Sequence, residues 1–230
     1  MNYIHYMARP RTKKRIVNRL PRERREADIL EAAQHVFRLR GYENASISEI
    51  AERAGVVEGS IYRYFQNKRD LVIKVIEQWY LGMISEDEAW LPGIEGARNK
   101  LRHAIWHHLN AIRQEPGLSR LVFSEFRPDP DYRQTTIFAL NRRYTSRVTD
   151  IVREGMQNGE FRADVSPALV RNLIYGCIEH HTWAFLRGEG DFNVERTADA
   201  ITDLLCQGLQ PAALPAALPA ALPAARKKRL

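Results

Sequence analysis

The sequence is poor in the residues that mark several common classes of protein. It holds two cysteines, Cys177 and Cys206, among 230 residues, and no C-x-x-C pair. This argues against a disulfide scaffold, a zinc site and a redox motif, and we expect both cysteines to be small core residues. No apolar run is long enough to span a bilayer, and the N-terminus lacks the residue order of a secretory signal. We therefore expect a cytoplasmic protein with no membrane partner.

The motifs of common enzyme chemistry are absent as well. The sequence has no G-x-x-x-x-G-K-[S/T] phosphate loop, no G-x-S-x-G turn and no H-E-x-x-H pair. His103, His107 and His108 include two imidazoles at i and i+4, a spacing that can chelate a metal ion, but no third ligand stands in register. We interpret them as surface or core histidines. We expect no catalytic residues, no metal site and no cofactor.

Acidic residues are nearly missing from both ends of the chain. Residues 1–25 hold nine Lys or Arg against Glu23 alone, and residues 211–230 hold four against none. The formal net charge of +7 therefore comes from the tails, because residues 26–210 carry 22 basic and 27 acidic side chains. A flexible basic arm beside a folded module favours contact with DNA phosphates. An arm that only aids solubility is the alternative.

The last twenty residues form a low-complexity segment. From Pro211 the chain repeats Pro-Ala-Ala-Leu three times and then ends in a cluster of basic residues. Proline at every fourth position removes the backbone donors that a helix needs. We predict a disordered tail over 211–230.

Apolar residues recur at helical spacing through the rest of the chain, and no stretch alternates as a strand does. The pattern predicts an all-α fold with a small N-terminal domain over 26–75 and a larger helical domain over 76–210. The boundary falls near residues 79–92, within or just after a connecting helix. Helices are predicted over 26–40, 46–54, 58–65, 68–84, 95–115, 130–158, 166–188 and 194–209.

Two short helices flank a glycine turn in the N-terminal domain. Ser46 caps the first helix, Gly55 suits the sharp turn, and a rotation of about 100° per residue buries Ile61 and Phe65 on the second. This is the pattern of a helix-turn-helix, whose second helix reads the major groove. The outward residues are Gly59, Ser60 and Arg63, with Tyr62 and Tyr64 on the flanks. We expect Ser60 and Arg63 to meet base edges and the tyrosine hydroxyls to meet phosphates.

The segment from Ser46 to Leu71 resembles the DNA-binding domain of the TetR family of bacterial repressors. Its Gly-x-x-x-Gly-Ser-Ile-Tyr-x-Tyr-Phe-x-x-Lys core begins at Gly55, and the likeness covers roughly residues 25–75. One departure is Val57, which stands where the family commonly has a serine N-cap. The resemblance implies contacts with operator DNA from Ser46, Ser48, Glu58, Gly59, Ser60, Tyr62, Tyr64 and Lys68. Glu58 either reads a cytosine or complements the helix dipole, and we favour the dipole.

The last two predicted helices carry broad apolar stripes. A single helix-turn-helix reads few base pairs, so a dimer is the economical arrangement, and the resemblance implies that these two helices pair with their copies as a four-helix bundle. Packing within the monomer is the alternative use of the stripes. They consist of Leu169, Leu173, Ile174, Cys177, Ile178, His181 and Phe185, and of Ala198, Ile201, Leu204, Leu205 and Leu209.

The larger domain holds candidates for an effector cavity. The segments 170–183, 125–127 and 155–160 have a patchy resemblance to fatty-acid-responsive TetR regulators that bind acyl-CoA. This resemblance implies an acyl-CoA effector, with Arg127 meeting the phosphates. Packing in the core explains most of the aromatic candidates equally well. The candidates are Trp106, Phe123, Phe126, Tyr144, Tyr175 and Trp183 as apolar walls, with Asn141, His180 and His107 as polar groups.

The sequence therefore predicts a homodimeric, sequence-specific DNA-binding regulator. The resemblance implies that it is a repressor, which a small hydrophobic effector such as a fatty acyl-CoA releases from its operator. The alternatives are an effector-independent or architectural DNA-binding protein and, less favoured, a helical enzyme. A packed C-terminal core would favour the architectural protein, whereas a cavity of several hundred cubic ångströms would favour the regulator.

Overall fold

The computed structural model describes residues 21–210. Within that range the fold is all helical, as predicted, and no strand is present. The predictions for the N-terminal arm up to residue 20 and for the 211–230 tail lie outside the described residues. The helices are α1 (Arg22–Asn44), α2 (Ile47–Arg53), α3 (Glu58–Ile61), α4 (Lys68–Trp90), α5 (Ala97–Gln114), α6 (Pro116–Leu121), α7 (Thr136–Gln157), α8 (Pro167–Leu186) and α9 (Val194–Leu209).

The N-terminal domain consists of α1, α2, α3 and the first turns of α4. Ile29, Ala33 and Phe37 of α1 are buried and pack with Ile50 and Ile61 of the two short helices. Gly41 breaks α1 near its end with a φ of +72°, a conformation that favours glycine.

The helices differ in extent from the predictions at several places. The first helix begins at Arg22 instead of residue 26. The predicted helix over 130–158 begins only at Thr136, because the Thr135 hydroxyl caps it by accepting a hydrogen bond from the Phe138 amide at 3.1 Å. Residues 116–126, which no prediction covered, form α6 and a π-helical turn over Val122–Phe126.

The C-terminal domain is built around α5 and α7. Helix α5 packs mainly against α9 and α7, and α7 packs against α4 and α8. Helix α4 runs through both domains, from the DNA-reading unit into this core. No helix in residues 21–210 is both long and apolar enough to cross a bilayer.

The two cysteines have different environments. Cys206 is buried, as predicted. Cys177 is exposed, which contradicts its prediction as a core residue. The reason is the rotation of α8, which turns Ile174 and Ile178 into the core and leaves Leu169, Leu173 and Cys177 on the outer face.

Candidate DNA-binding interface and effector cavity

The second helix of the helix-turn-helix has the predicted faces but is shorter than predicted. Gly55 makes the turn with a φ of +64°, and α3 then spans only Glu58–Ile61, although hydrogen-bonded turns continue to Phe65. Ile61 and Phe65 are buried. The helix has no side-chain cap, because Val57 stands at the N-cap and is 75% exposed.

The outward side of α3 is open to a partner. Gly59, Tyr62 and Arg63 are exposed, and Ser60 is half-buried. Glu58 lies in the first turn, where a carboxylate complements the helix dipole. Residues with hydrogen-bonding groups therefore lie on the face that the sequence assigns to DNA.

Two arginines of α1 extend this face. The guanidinium of Arg22 lies 5.7 Å from the ring centroid of Tyr64, and Arg22 and Arg25 line an open groove of about 560 Å³ together with Ser60 and Arg63. The sequence alone assigned both arginines to a flexible basic arm, for which contact with phosphates was one of two interpretations, and did not place them on a helix or among the named site residues. The dense run of basic residues before residue 26 was the signal that could have found them.

The serines of α2 differ in their availability. Ser46 caps the helix, because its hydroxyl oxygen accepts a hydrogen bond from the Glu49 amide at 3.0 Å. Its hydroxyl proton is still free to donate, since a serine both donates and accepts. Ser48 is exposed. The Glu49 side chain does not return to Ser46, because it pairs with Arg40 at 3.1 Å.

Lys68 begins α4, but its ammonium points to the end of α1. Its Nζ donates to the backbone carbonyl of Glu43 at 3.1 Å and lies 4.6 Å from the ring centroid of Tyr42. The cap of α4 comes from Asn67, whose side-chain oxygen accepts a hydrogen bond from the Asp70 amide at 2.8 Å. The candidate phosphate contact therefore already has a partner within the protein.

In the C-terminal domain an open cavity of about 560 Å³ lies between α7, α8 and the turns before α7. We call it the effector cavity, after the role that we propose for it below. Four arginines line it, and no carboxylate does among the described residues. The lining groups used below are Arg127, Arg133, Arg142, Arg171, Tyr132, Phe138, Asn141 and Tyr175.

Arg127 is half-buried in the wall of this cavity, with 24% of its side chain exposed. One end of its guanidinium forms an ion pair with Glu179 of α8, and its face lies 4.7 Å from the ring centroid of Phe123. Its Nε is buried and has no hydrogen-bond partner, and the same holds for the Tyr132 hydroxyl. Buried donors without partners are rare and costly, so these groups are ready to bind a ligand acceptor.

Behind the effector cavity lies a buried cluster of aromatic and imidazole rings. The Tyr80 hydroxyl donates to the Asn141 side chain at 3.3 Å, and the rings of His108 and Tyr175 meet edge to face at 4.9 Å. Burial, with Arg127 and His107 adding to it, lowers the pKa of His108 to about 3. His108 is therefore neutral at physiological pH. Tyr144 is 1% exposed and packs within this cluster.

The structure brings together only some of the predicted effector residues. Arg127, Asn141 and Tyr175 line the effector cavity, and Tyr144 lies behind it. The other candidates point elsewhere. Phe123 and Trp183 pack on each other with ring centroids 6.2 Å apart. The ring centroid of Phe126 lies 4.9 Å from the guanidinium of Arg69. Trp106 donates a hydrogen bond from Nε1 to Glu195 at 2.5 Å, and His180 is exposed.

His107 is buried, and both its ring nitrogens contact carboxylates, Asp87 at 2.7 Å and Glu86 at 2.8 Å. No group of three or more His, Cys, Asp or Glu within residues 21–210 has the arrangement of a metal site. The imidazole of His107 thus serves as an ion-pair partner.

Family models match both domains of the chain. The model described as bacterial regulatory proteins, tetR family, matches residues 29–75, and the model described as tetracyclin repressor-like, C-terminal domain, matches residues 95–209. The chain belongs to the TetR family of bacterial transcriptional regulators. It is a DNA-binding regulator and not an enzyme.

Individual relatives extend this assignment over most of the chain. The fatty acid metabolism regulator protein of Bacillus subtilis is 26% identical over 181 residues, which cover 79% of this chain and 93% of the relative. The probable regulator ArpR of Pseudomonas putida is 30% identical over 207 residues, 83% of this chain and 96% of the relative. The crystal structure of FadR from Bacillus subtilis in complex with stearoyl-CoA superposes with a TM-score of 0.69 at 26% identity, covering 80% of this chain and 99% of that one.

Proposed function

We propose that the protein is a homodimeric repressor that binds its operator when empty and leaves it when a fatty acyl-CoA occupies the effector cavity. The observation that carries the proposal is Arg127, a half-buried arginine that lines the cavity together with three other arginines and whose buried Nε has no hydrogen-bond partner. Guanidinium groups bind phosphates with strong, charge-assisted hydrogen bonds. We assign this activity to the cytoplasm, where bacterial operator DNA lies.

The chemistry of the effector cavity fits an anionic ligand with an apolar part. Arg133, Arg142 and Arg171 supply positive charge around Arg127, while Phe138 and Tyr175 supply apolar surface. A related protein has been crystallised with stearoyl-CoA, which combines phosphates with a long apolar chain. A cavity of this size also favours a ligand-responsive regulator over an effector-independent DNA-binding protein.

The outer faces of α8 and α9 support the dimer. Leu169 and Leu173 of α8 are 56% and 52% exposed, and Leu204 of α9 is 74% exposed. Cys177 continues the α8 row one turn further on. Large apolar side chains in such a row are typical of an interface with a second chain.

The DNA contacts follow from the exposed face of the helix-turn-helix. Ser60 and Arg63 meet base edges, whereas Tyr62, Lys68 and the α1 arginines meet phosphates. Ser46, Ser48, Glu58, Gly59 and Tyr64 complete the surface.

A chain of contacts links the two sites. Arg127 directly follows the π-helical turn after α6, and α6 packs against α1. We propose that this turn has one position in dimers that can bind DNA and another in dimers that cannot. An effector that binds one of these two states more tightly shifts the population toward that state.

The test is a titration of the purified protein on the promoter fragment of its own gene, followed by fluorescence anisotropy. Stearoyl-CoA should release the DNA at fixed salt, whereas coenzyme A without an acyl chain should not. Arg127→Met should raise the stearoyl-CoA concentration needed for release at least about tenfold, because it removes charged hydrogen bonds. Arg153→Met is the matched control, since Arg153 is exposed on α7 and pairs only locally with Asp150 at 2.8 Å.

DNA binding that ignores saturating stearoyl-CoA would refute the effector assignment. If the wild type and Arg127→Met release DNA at the same stearoyl-CoA concentration, the role of Arg127 is refuted instead.

A further inference from the structure

A second cavity lies between the DNA-reading unit and the C-terminal domain. It has a volume of about 370 Å³ and lies between α1, α4 and α5, so we call it the α1–α4–α5 cavity. It shares no lining residue with the effector cavity. Its lining includes Gln34 of α1, Trp79, Gly82 and Glu86 of α4, Asn110 of α5, and Glu115 directly after α5.

Glu115 gives this cavity an unfilled binding position. Its side chain is 8% exposed, and Oε1 accepts a hydrogen bond from the Gln34 amide at 2.9 Å. The guanidinium of Arg38 lies 3.6 Å from the same oxygen. The other oxygen, Oε2, is buried and has no partner. A buried carboxylate oxygen without a donor is costly, so a ligand N–H group that reaches it gains free energy.

The charges around the α1–α4–α5 cavity select for a cation. Its described lining includes the carboxylates of Glu86 and Glu115 but no Lys or Arg, and Arg38, which faces Oε1 of Glu115, is not part of the lining. His107 also lines it, but Asp87 and Glu86 hold both of its ring nitrogens. The amides of Gln34 and Asn110 are neutral. This lining is opposite in sign to that of the effector cavity, which four arginines line.

The wall of the cavity suits an organic cation. Trp79 is half-buried there and offers an aromatic surface, to which cations are attracted. A metal ion fits poorly, because no three His, Cys, Asp or Glu in the described part of the chain converge as ligands. A polyatomic cation can reach Glu115 and Trp79 together.

We infer that the α1–α4–α5 cavity is a second ligand site, which takes a small organic cation whose N–H donors bind Oε2 of Glu115. The ligand contacts α1 of the DNA-reading unit and α5 of the C-terminal domain at once. The inference does not depend on the acyl-CoA proposal.

The test is isothermal titration calorimetry of the full chain, free of DNA, with benzamidine as the probe. Benzamidine carries an amidinium group on an aromatic ring, and neutral benzamide has nearly the same shape. We expect benzamidine to bind with a stoichiometry of one per chain and benzamide to bind at least about tenfold more weakly, since charged hydrogen bonds contribute more than neutral ones.

Two variants locate the site. Glu115→Gln keeps an acceptor for Gln34 but removes the negative charge, so it should lower the affinity for benzamidine at least about tenfold. Glu95→Gln is the matched control at an exposed carboxylate and should leave binding unchanged. Gly82→Leu should abolish binding by filling the cavity, because a Cβ at Gly82 meets no atom within 4 Å and the fold has room for the side chain.

Circular dichroism shows whether each variant is folded, and Gly82→Leu decides the matter if Glu115→Gln unfolds. Absence of benzamidine binding to the wild type would overturn the inference. Equal binding by the wild type and the folded variants would also overturn it. Arg127→Met should bind benzamidine with the same affinity as the wild type, because Arg127 does not line this cavity. The benzamidine result can therefore be interpreted even if the acyl-CoA proposal fails.

Discussion

Nδ1 of His107 lies 2.7 Å from Oδ1 of Asp87, and both side chains are buried between α5 and α4. Nε2 of the same ring lies 2.8 Å from Glu86, one residue earlier on α4. Burial lowers the pKa of His107, but the two carboxylates outweigh it, and the net direction is upward. A single imidazolium therefore ties α5 to the helix that connects the two domains.

This ion pair predicts a pH dependence of stability. Because the folded pKa of His107 is above the unfolded value, its contribution is complete below about pH 6.5 and is lost as the pH rises through the folded pKa. His107→Gln should therefore cost more free energy of unfolding at pH 6 than at pH 8.5, by urea denaturation. At pH 6 we expect a loss of about 3 kcal/mol, typical of breaking a buried pair.

His103→Gln is the control, since burial lowers the pKa of His103 and its trend has the opposite sign. A cost of His107→Gln that is constant or grows with pH would contradict the role of the pair.

His108 should have the opposite effect on stability. Its folded pKa of about 3 lies below the unfolded value, so the native state loses stability as the pH falls below about 6.5. The loss is about 1.4 kcal/mol per pH unit. His108→Phe removes the titrating group and with it this loss of stability. In urea denaturation, the free energy of unfolding of the variant relative to that of the wild type should increase as the pH is lowered from 7 to 5. A relative stability that does not change over that interval would contradict a neutral, buried His108.

Gly155 of α7 has no room for a side chain. A Cβ there would lie 2.7 Å from Cε2 of Phe161 and 2.8 Å from Cβ of Ala97. Gly155→Ala should therefore lower the free energy of unfolding by about 1–3 kcal/mol, as overpacked cores do. Gly82→Ala, in open space on α4, should instead stabilise by about 0.5–1 kcal/mol. Thermal denaturation of both variants separates the steric cost from the helix preference. The prediction fails if both substitutions change the stability in the same direction.

The candidate DNA contacts divide into two kinds with different signatures. Lys68→Ala should weaken binding on all sequences and reduce the salt slope by about one, because it removes one phosphate contact. Arg63→Ala should change the preferred bases at one operator position. Binding to a panel of operator variants at two salt concentrations measures both effects. Unchanged affinity in both variants would remove this face of α3 and α4 from the DNA interface.

The α8–α9 face predicts the oligomeric state. Leu204→Glu places a charge in the proposed interface and should convert the dimer to a monomer in sedimentation experiments. Leu39→Glu is a matched control, because Leu39 of α1 is 66% exposed and lies in the other domain. A dimer that survives Leu204→Glu, or a wild-type monomer, would rule out this interface.

The sequence predicted the helix-turn-helix better than the C-terminal site, for a physical reason. Burial of Ile61 and exposure of Arg63 follow from helical rotation alone, and the cap at Ser46 depends on a residue three positions away. Such local rules need no knowledge of the fold.

The effector cavity depends on packing between distant segments. Arg133, Arg142 and Arg171 read singly as solvent-exposed charges, and only the packing of α7 against α8 brings them to one cavity. The same limit explains Trp106, an apparent wall residue whose indole N–H meets Glu195 on α9. The π-helical turn after α6 has no periodic signal that predicts it.

The phosphate contact that we propose for Lys68 would compete with its hydrogen bond to the carbonyl of Glu43. An operator phosphate that recruits this ammonium takes it from a backbone acceptor of the protein and from the face of the Tyr42 ring. On this proposal the affinity for DNA depends partly on Glu43 and Tyr42 at the end of α1, which hold the ammonium in the free protein. Substitutions at Tyr42 should then change the affinity for DNA and leave the sequence of the reading helix, and the bases it prefers, unchanged.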